Sequence, residues 1–243
     1  LFAEILTGEQ RVEELLRREE VSPEFWSLKG EDTKYFLDKI LAGDISNRKI
    51  AVLGARTGEI IKQYWDGFCQ AEEITLFDTS AGILKLAQEK LGGMNANIRY
   101  CSTYNEGVEE SELNKYDIVL AVNLLHTYEE PLKEVEWAAL LLKREGDFYA
   151  IEYEELDPMG ILISGLLENG FVNRKRGRRE HTPLLLLDDW KNIYGQAPFG
   201  EVAINRRGRL GALLIHAKNV TPEVIEMRSR ILEYMNENLT AYM

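Results

Sequence analysis

From Lys49 onward the chain alternates between two textures. Short runs that are apolar at nearly every position, KIAVLG, EITLFD, NIRYCS, YDIVLAVN and DFYAIEY, are separated by segments with apolar residues at helical spacing, such as AGILKLAQEKL and LKEVEWAALLLK. A run that is apolar on both faces suits a strand covered on both sides, and the helices between runs supply the crossovers that parallel strands need. The pattern predicts an α/β fold with a doubly wound, Rossmann-like, mostly parallel sheet. After the fifth strand, Pro158–Leu167 and Leu187–Tyr194 read as helices. EVAINR and GALLIHA, parted by Arg207–Leu210, then predict a C-terminal antiparallel hairpin that closes the sheet edge and makes it seven-stranded.

Residues 1–46 have a helical pattern throughout. Ile5, Val12, Leu15 and Leu16 form an apolar stripe, followed by Phe25, Trp26 and Leu28 and then by Tyr35, Phe36, Leu37, Ile40 and Leu41. This segment is expected to be an N-terminal helical lid on a core spanning 47–219. Residues 220–243 read as a C-terminal helix, with Thr221 as its cap and Pro222 in its first turn. No internal repeat and no Pro/Gly/Ser-rich linker divides the chain.

With 243 residues, 45% hydrophobic and 29% charged, the composition is that of a globular protein with one large domain and at most a small appendage. Against 41 acidic residues stand 29 Lys and Arg, a net charge of -12, which excludes a general nucleic-acid or anionic-membrane binder. The longest apolar stretches, such as Leu140–Leu142 and Leu184–Leu187, fall far short of the roughly 20 residues of a membrane helix. The start, LFAEILTGEQ, lacks an initiator Met, a basic n-region and an apolar h-region, so a cytoplasmic location and excision from a longer chain are expected. Cys69 and Cys101 cannot build a disulfide framework and are read as buried or half-buried small hydrophobes.

The informative chemistry begins at Ile50-Ala51-Val52-Leu53-Gly54-Ala55-Arg56-Thr57-Gly58. A glycine loop between a first strand and its helix lets backbone approach a nucleotide-like ligand at the carboxyl ends of the strands. Asp78 ends the second strand about twenty residues later, the spacing at which a carboxylate accepts hydrogen bonds from ribose hydroxyls. The alternative is that Gly54 and Gly58 serve a tight turn and Asp78 caps the next helix. Neither G-x-G-x-x-G nor a Walker lysine is present, which favours a nucleoside without phosphates. Asn123 and His126 follow the fourth strand. The amide lines a cleft or forms a turn, and the imidazole is either a base near neutral pH or a structural hydrogen-bonding group. His181 reads as a loop residue and His216 as a sheet residue, and neither has a second metal ligand at useful spacing. Arg174, Lys175, Arg176, Arg178 and Arg179, with Arg206, Arg207 and Arg209 at the hairpin turn, form either a patch for an acidic partner or a solvated surface. Acidic runs such as Glu152–Glu155 are read as solvated faces apart from the site positions named below.

The succession VLGARTGEI, LFDTS, YDIVLAVNLLH, FYAIEYEE and HTPLLLLDDW resembles a class I S-adenosylmethionine-dependent methyltransferase, specifically the domains integrated in polyketide synthases and nonribosomal peptide synthetases, over about residues 48 to 218. The tail ILEYMNENLTAYM is similar to the segment near the end of adenylation-domain cores, with Thr240 where proline is usual, so 220–243 is expected to lead into a neighbouring synthetase domain. The resemblance implies that Gly54, Arg56, Gly58, Asp78 and Asn123 hold S-adenosylmethionine, that His126 is the base and Glu152 its orienting partner, with Glu154 as understudy, and that the substrate is carried on the phosphopantetheine arm of an acyl or peptidyl carrier protein. The expected reaction is carbon methylation of that tethered intermediate.

Three positions depart from the family pattern. Val52 stands where a first-strand glutamate is usual, Arg56 replaces the middle glycine, and Thr103-Tyr104-Asn105 occupies the stretch where an acidic residue near the adenine is expected. Arg56 either enters the space for the methionine part of the cofactor or turns outward. If the cofactor is excluded while His126 and Glu152 remain, the domain is an epimerase working by proton transfer, or a non-catalytic scaffold.

Overall fold

The computed structural model describes residues 30–94, 97–102, 109–156 and 184–220, together with positions 4, 7, 9 and 231. Within these, β1 (Lys49–Leu53), β2 (Glu73–Phe77), β3 (Ile98–Cys101), β4 (Tyr116–Val122), β5 (Leu142–Tyr153), β6 (Phe199–Arg207) and β7 (Ala212–Asn219) form one sheet in the order β3-β2-β1-β4-β5-β7-β6. β1 to β5 pair in parallel, while β7 lies antiparallel between β5 and β6. This is the predicted doubly wound sheet with its terminal hairpin. Strand order reverses between β1 and β4, and in open α/β sheets the crevice for a ligand opens at such a point, beyond the carboxyl ends of the strands.

The continuous apolar runs are explained by two cores, one on each face. Ile50 and Val52 of β1 and Ile118, Leu120 and Val122 of β4 enter one core, while Ala51, Leu53, Val119 and Ala121 enter the other. The first face is covered by α1 (Glu31–Leu41), α2 (Glu59–Gln63), α3 (Trp65–Phe68) and α4 (Ala81–Leu91), the second by α5 (Pro131–Leu141) and α6 (Leu187–Gln196). Local signals agree with the bounds. Ser80 Oγ caps α4 by accepting from the Ile83 amide at 3.3 Å, and Pro131 opens α5, where its missing N–H costs nothing.

Helix α1 belongs to the segment expected to be a lid, and it is packed as part of a flanking layer. Phe36, Leu37 and Ile40 are buried in the core shared with Ile50 and Leu76. Its first turn is tied to the sheet, since Thr33 Oγ1 and Tyr153 Oη share a hydrogen bond of 2.6 Å and Asp32 pairs with Arg207 at 2.8 Å. The helices expected at Pro158–Leu167 and after Thr221, the Thr103-Tyr104-Asn105 stretch, His181 and the Arg174–Arg179 cluster lie outside the described residues.

One boundary differs from the pattern reading. The helical spacing of LKEVEWAALLLK continues to Lys143, but α5 stops at Leu141 and β5 starts at once. Tyr116 pairs with Leu142 and Ile118 with Asp147, so the chain bulges between them, with Glu145 left-handed at φ 62°. The fully buried Asn219 holds this junction: its Nδ2 donates to the carbonyls of Ala139, Leu142 and Lys143 at 3.2, 3.1 and 3.1 Å. Replacing Asn219 by Ala leaves those carbonyls short of a donor away from water. We expect a loss of about 1–3 kcal/mol, read as a lower urea midpoint at unchanged m-value; an unchanged midpoint would remove Asn219 from this role.

Candidate functional site

Because β1, β2, β4 and β5 run parallel, their carboxyl ends share one edge of the sheet, and all seven predicted site residues gather there. The Gly54 amide extends the ladder to the Phe77 carbonyl at 2.8 Å, with φ +75°. A Cβ on Gly54 would sit 3.1 Å from the Leu124 side chain, and one on Gly58, at φ +79°, 2.9 Å from Leu91. Both glycines therefore serve turn geometry and close packing. Arg56 and Thr57 between them also have positive φ, 40° and 55°, a conformation that costs side-chain-bearing residues of order 1 kcal/mol or more each. The loop keeps a glycine-like path although two of its residues are not glycine.

Arg56 turns inward. Only 9% exposed, its guanidinium donates from Nη2 to the carbonyl of Asn123 at the end of β4. Burial pushes its pKa down, and the negative charge of Glu152, then of Asp78, with Tyr128 beside them, pushes it back up. Asp78 is occupied by backbone: Oδ2 accepts from the Ala55 amide at 3.0 Å and Oδ1 from Ser80 at 2.9 Å. Burial raises its pKa against those two hydrogen bonds and the charge of Arg56. The helix-capping role open to Asp78 from sequence belongs to Ser80, and Asp78 ties β2 to the glycine loop. Asn123 is the turn residue, with φ 49° and its amide bonded to the Ile151 carbonyl at 2.6 Å, while its Oδ1 is buried with no hydrogen-bond partner among the described residues. Val52 lies in the core, 1% exposed.

His126 and Glu152 meet as expected. Glu152 sits at the end of β5 on the face that carries Phe148 and Ala150, with no exposed surface. Its Oε1 accepts from the amides of Leu124 and Leu125 at 2.9 and 2.7 Å, and its Oε2 lies 2.7 Å from His126 Nδ1. The tight turn 125–127 after β4 thus clamps the carboxylate, and the carboxylate fixes the ring. A carboxylate accepts, so the ring donates from Nδ1 and Nε2 is the basic nitrogen.

One reading is corrected. Glu154 is not an understudy to Glu152: it is 8% exposed, its Oε1 accepts from the Leu187 amide at the start of α6 at 3.0 Å and its Oε2 pairs with Arg206 at 2.5 Å. Pleating sends residues 152 and 154 to the same face, but 154 lies one pair further along, beyond the turn that carries His126. Two arginines of the hairpin turn also pair within the domain while their side chains stay 52% and 47% exposed. Arg206 is held by Glu154, and Arg207 pairs with Asp32 while lying 4.1 Å over the Tyr35 ring. His216 is a sheet residue, bonded to Asp147 at 2.7 Å and stacked on Tyr149. Pattern reading missed Leu124, which fills the space over Gly54, and Tyr128, which faces Arg56; nothing in their spacing marks them. A cavity of about 550 Å³ lies elsewhere, between the ends of α1 and α2 and the start of α3, lined by Lys34, Asp38, Gln63, Tyr64 and Asp66 among others. Among the described residues no cluster of three or more His, Cys, Asp or Glu is placed to hold a metal ion, and no helix is long and apolar enough to cross a membrane.

No family model matches the chain. It is 26% identical over 211 residues, 81% of its length, to the hybrid PKS-NRPS synthetase phm1 of Pyrenochaetopsis sp. To the highly reducing polyketide synthase 40 of Fusarium pseudograminearum it is 29% identical over 122 residues, 49% of its length. The matched part is 5% of each of these relatives, so the chain spans a small fraction of their length. The solved structure of the DszA carbon methyltransferase superposes with a TM-score of 0.72 at 18% identity, covering 91% of this chain and 64% of that one. By sequence the chain is similar to a short stretch of polyketide synthases and hybrid PKS-NRPS synthetases, and its fold is that of the carbon methyltransferases it superposes on.

In the described site, the residues of this domain do not fit S-adenosylmethionine. The cofactor's methyl is carried on a cationic sulfonium, and the hollow beside the glycine loop already contains a buried cation tethered to Asn123. Two like charges about 4 Å apart repel by about 4 kcal/mol at an effective dielectric of 20. Leu124 adds bulk over Gly54 on one side of the loop.

Glu152→Gln tests the clamp. The amide oxygen can keep the two backbone N–H bonds, but its NH2 then faces Nδ1 and obliges the ring to accept there. The imidazole proton should move from Nδ1 to Nε2, observable by 15N NMR; a ring that keeps the Nδ1–H form would contradict the assignment.

Proposed function

We propose that this domain moves a proton rather than a methyl group, acting as an epimerase at the α-carbon of a carrier-tethered thioester within an assembly-line synthase. One observation carries the reading: Arg56 turns inward beside the glycine loop and bonds the Asn123 carbonyl, while His126 and Glu152 are in hydrogen-bond contact. In the proposed step, Nε2 of His126 removes the α-proton and the C–H electron pair moves into the thioester carbonyl as an enolate. Glu152 holds the imidazolium that forms. When the enolate collapses, Nε2–H of His126 gives the proton back to the carbon: an enolate that has turned its other face to the ring is inverted, and one that has not turned is restored. No oxidant, reductant or group donor is needed. A general base of this kind contributes typically 10²–10⁴-fold. The carrier protein with its phosphopantetheine arm and the neighbouring synthase domains are the expected partners, as the size of the relatives supports.

Methyl transfer is the second reading, favoured by the left-handed path that the loop retains at 56–58 and by the likeness to a carbon methyltransferase. Two measurements separate them. Native protein titrated calorimetrically with S-adenosylmethionine should give no binding, whereas micromolar affinity with methyl transfer to a carrier-bound substrate would sink the epimerase. Deuterium loss from an α-labelled carrier-bound thioester should proceed without methyl donor and fall at least about 100-fold in His126→Ala. A domain that responds in neither assay is a scaffold.

A further inference from the structure

Arginine at position 56 is unfavourable twice over. Its backbone is left-handed, and its charge is out of water. An apolar side chain would fill the same hollow without the second cost, so the charge itself calls for an explanation. The geometry supplies one. Asp78 is fastened to the residue before Arg56, through the Ala55 amide, and Glu152 to the residues after Asn123, through the amides of Leu124 and Leu125. Arg56 bonds the Asn123 carbonyl between them, and its strongest electrostatic neighbours are these same two carboxylates. The fully buried Glu152 of β5 and the half-buried Asp78 at the end of β2 are thus fastened to the two chain segments that Arg56 joins, and the cation reaches this edge from the loop after β1.

We propose that Arg56 is a built-in substitute for a bound cationic ligand, holding the ends of β1, β2, β4 and β5 in their ligand-bound arrangement so that the His126–Glu152 pair is assembled without a cofactor. The corollary is a latent site: with the guanidinium removed, the hollow should select a cationic nucleoside over its neutral counterpart. This rests on the reading above only in taking the native site to be closed to the cofactor.

Thermal unfolding of Arg56→Met, Arg56→Lys and Arg56→Gly, with S-adenosylmethionine (a sulfonium) and S-adenosylhomocysteine (a neutral thioether) as probes, tests it. The Met variant, which fills the hollow without charge, should melt about 5 °C below the native domain, and the Lys variant closer to it. The Gly variant should be raised by about 3–5 °C by saturating S-adenosylmethionine and far less by S-adenosylhomocysteine, while neither moves the native protein. Should the Gly variant not fold, its refolding yield with each probe gives the same comparison. A Met variant as stable as the native domain, or equal effects of the two probes on Arg56→Gly, would overturn the proposal. Deuterium loss by the native domain is independent of these outcomes: its absence removes the epimerase and leaves the cation's role standing.

Discussion

A carboxylate with no exposed surface stands at the end of β5, and the arrangement of the site follows from the need to satisfy it. Taking an isolated charge out of water is prohibitive unless every lone pair finds a donor or a counter-charge. Glu152 obtains two backbone amides from the turn after β4, an imidazole from the same turn, and a guanidinium charge from the loop after β1. These come from two stretches of chain, the turn after β4 and the loop after β1, so the carboxylate joins the strand ends as a hub. Had the turn at 125–127 been one residue shorter, His126 would point elsewhere and the amides would miss.

The sheet makes that hub possible. Only parallel strands bring the ends of β1, β2, β4 and β5 to one edge, and the reversal of strand order between β1 and β4 leaves a gap there that side chains or a ligand must fill. In this domain side chains fill it: Leu124 covers Gly54, Leu91 abuts Gly58, and Arg56 occupies the centre. The His126–Glu152 pair lies at the ends of β4 and β5 and the glycine loop at the end of β1, so the proposed proton-moving group and the loop that a nucleoside would approach are built from different strands.

Much of the architecture was legible in the chain. Runs such as KIAVLG and YDIVLAVN are apolar at nearly every position because both faces of their strands are buried, and that burial is a property of parallel sheets. The α5–β5 junction was misplaced, since the helical spacing of ALLLK persists past the point where Asn219, from a strand some 75 residues away, captures the carbonyls and stops the helix. Glu154 was misplaced as an understudy to Glu152 for a similar reason: α6 and the hairpin, both distant in sequence, provide the amide and the guanidinium that hold it away from His126.

By itself the sequence determined the α/β class, the succession of strands, the glycine loop and the candidacy of Asp78, Asn123, His126 and Glu152, because strand periodicity, turn chemistry and motif order are local. It left the direction of the Arg56 side chain open, inward or outward, since that choice is made by charges brought from β2, β4 and β5. Electrostatic balance among groups far apart in the chain is a property of the folded edge alone, and there the tertiary structure decided that the cation belongs inside.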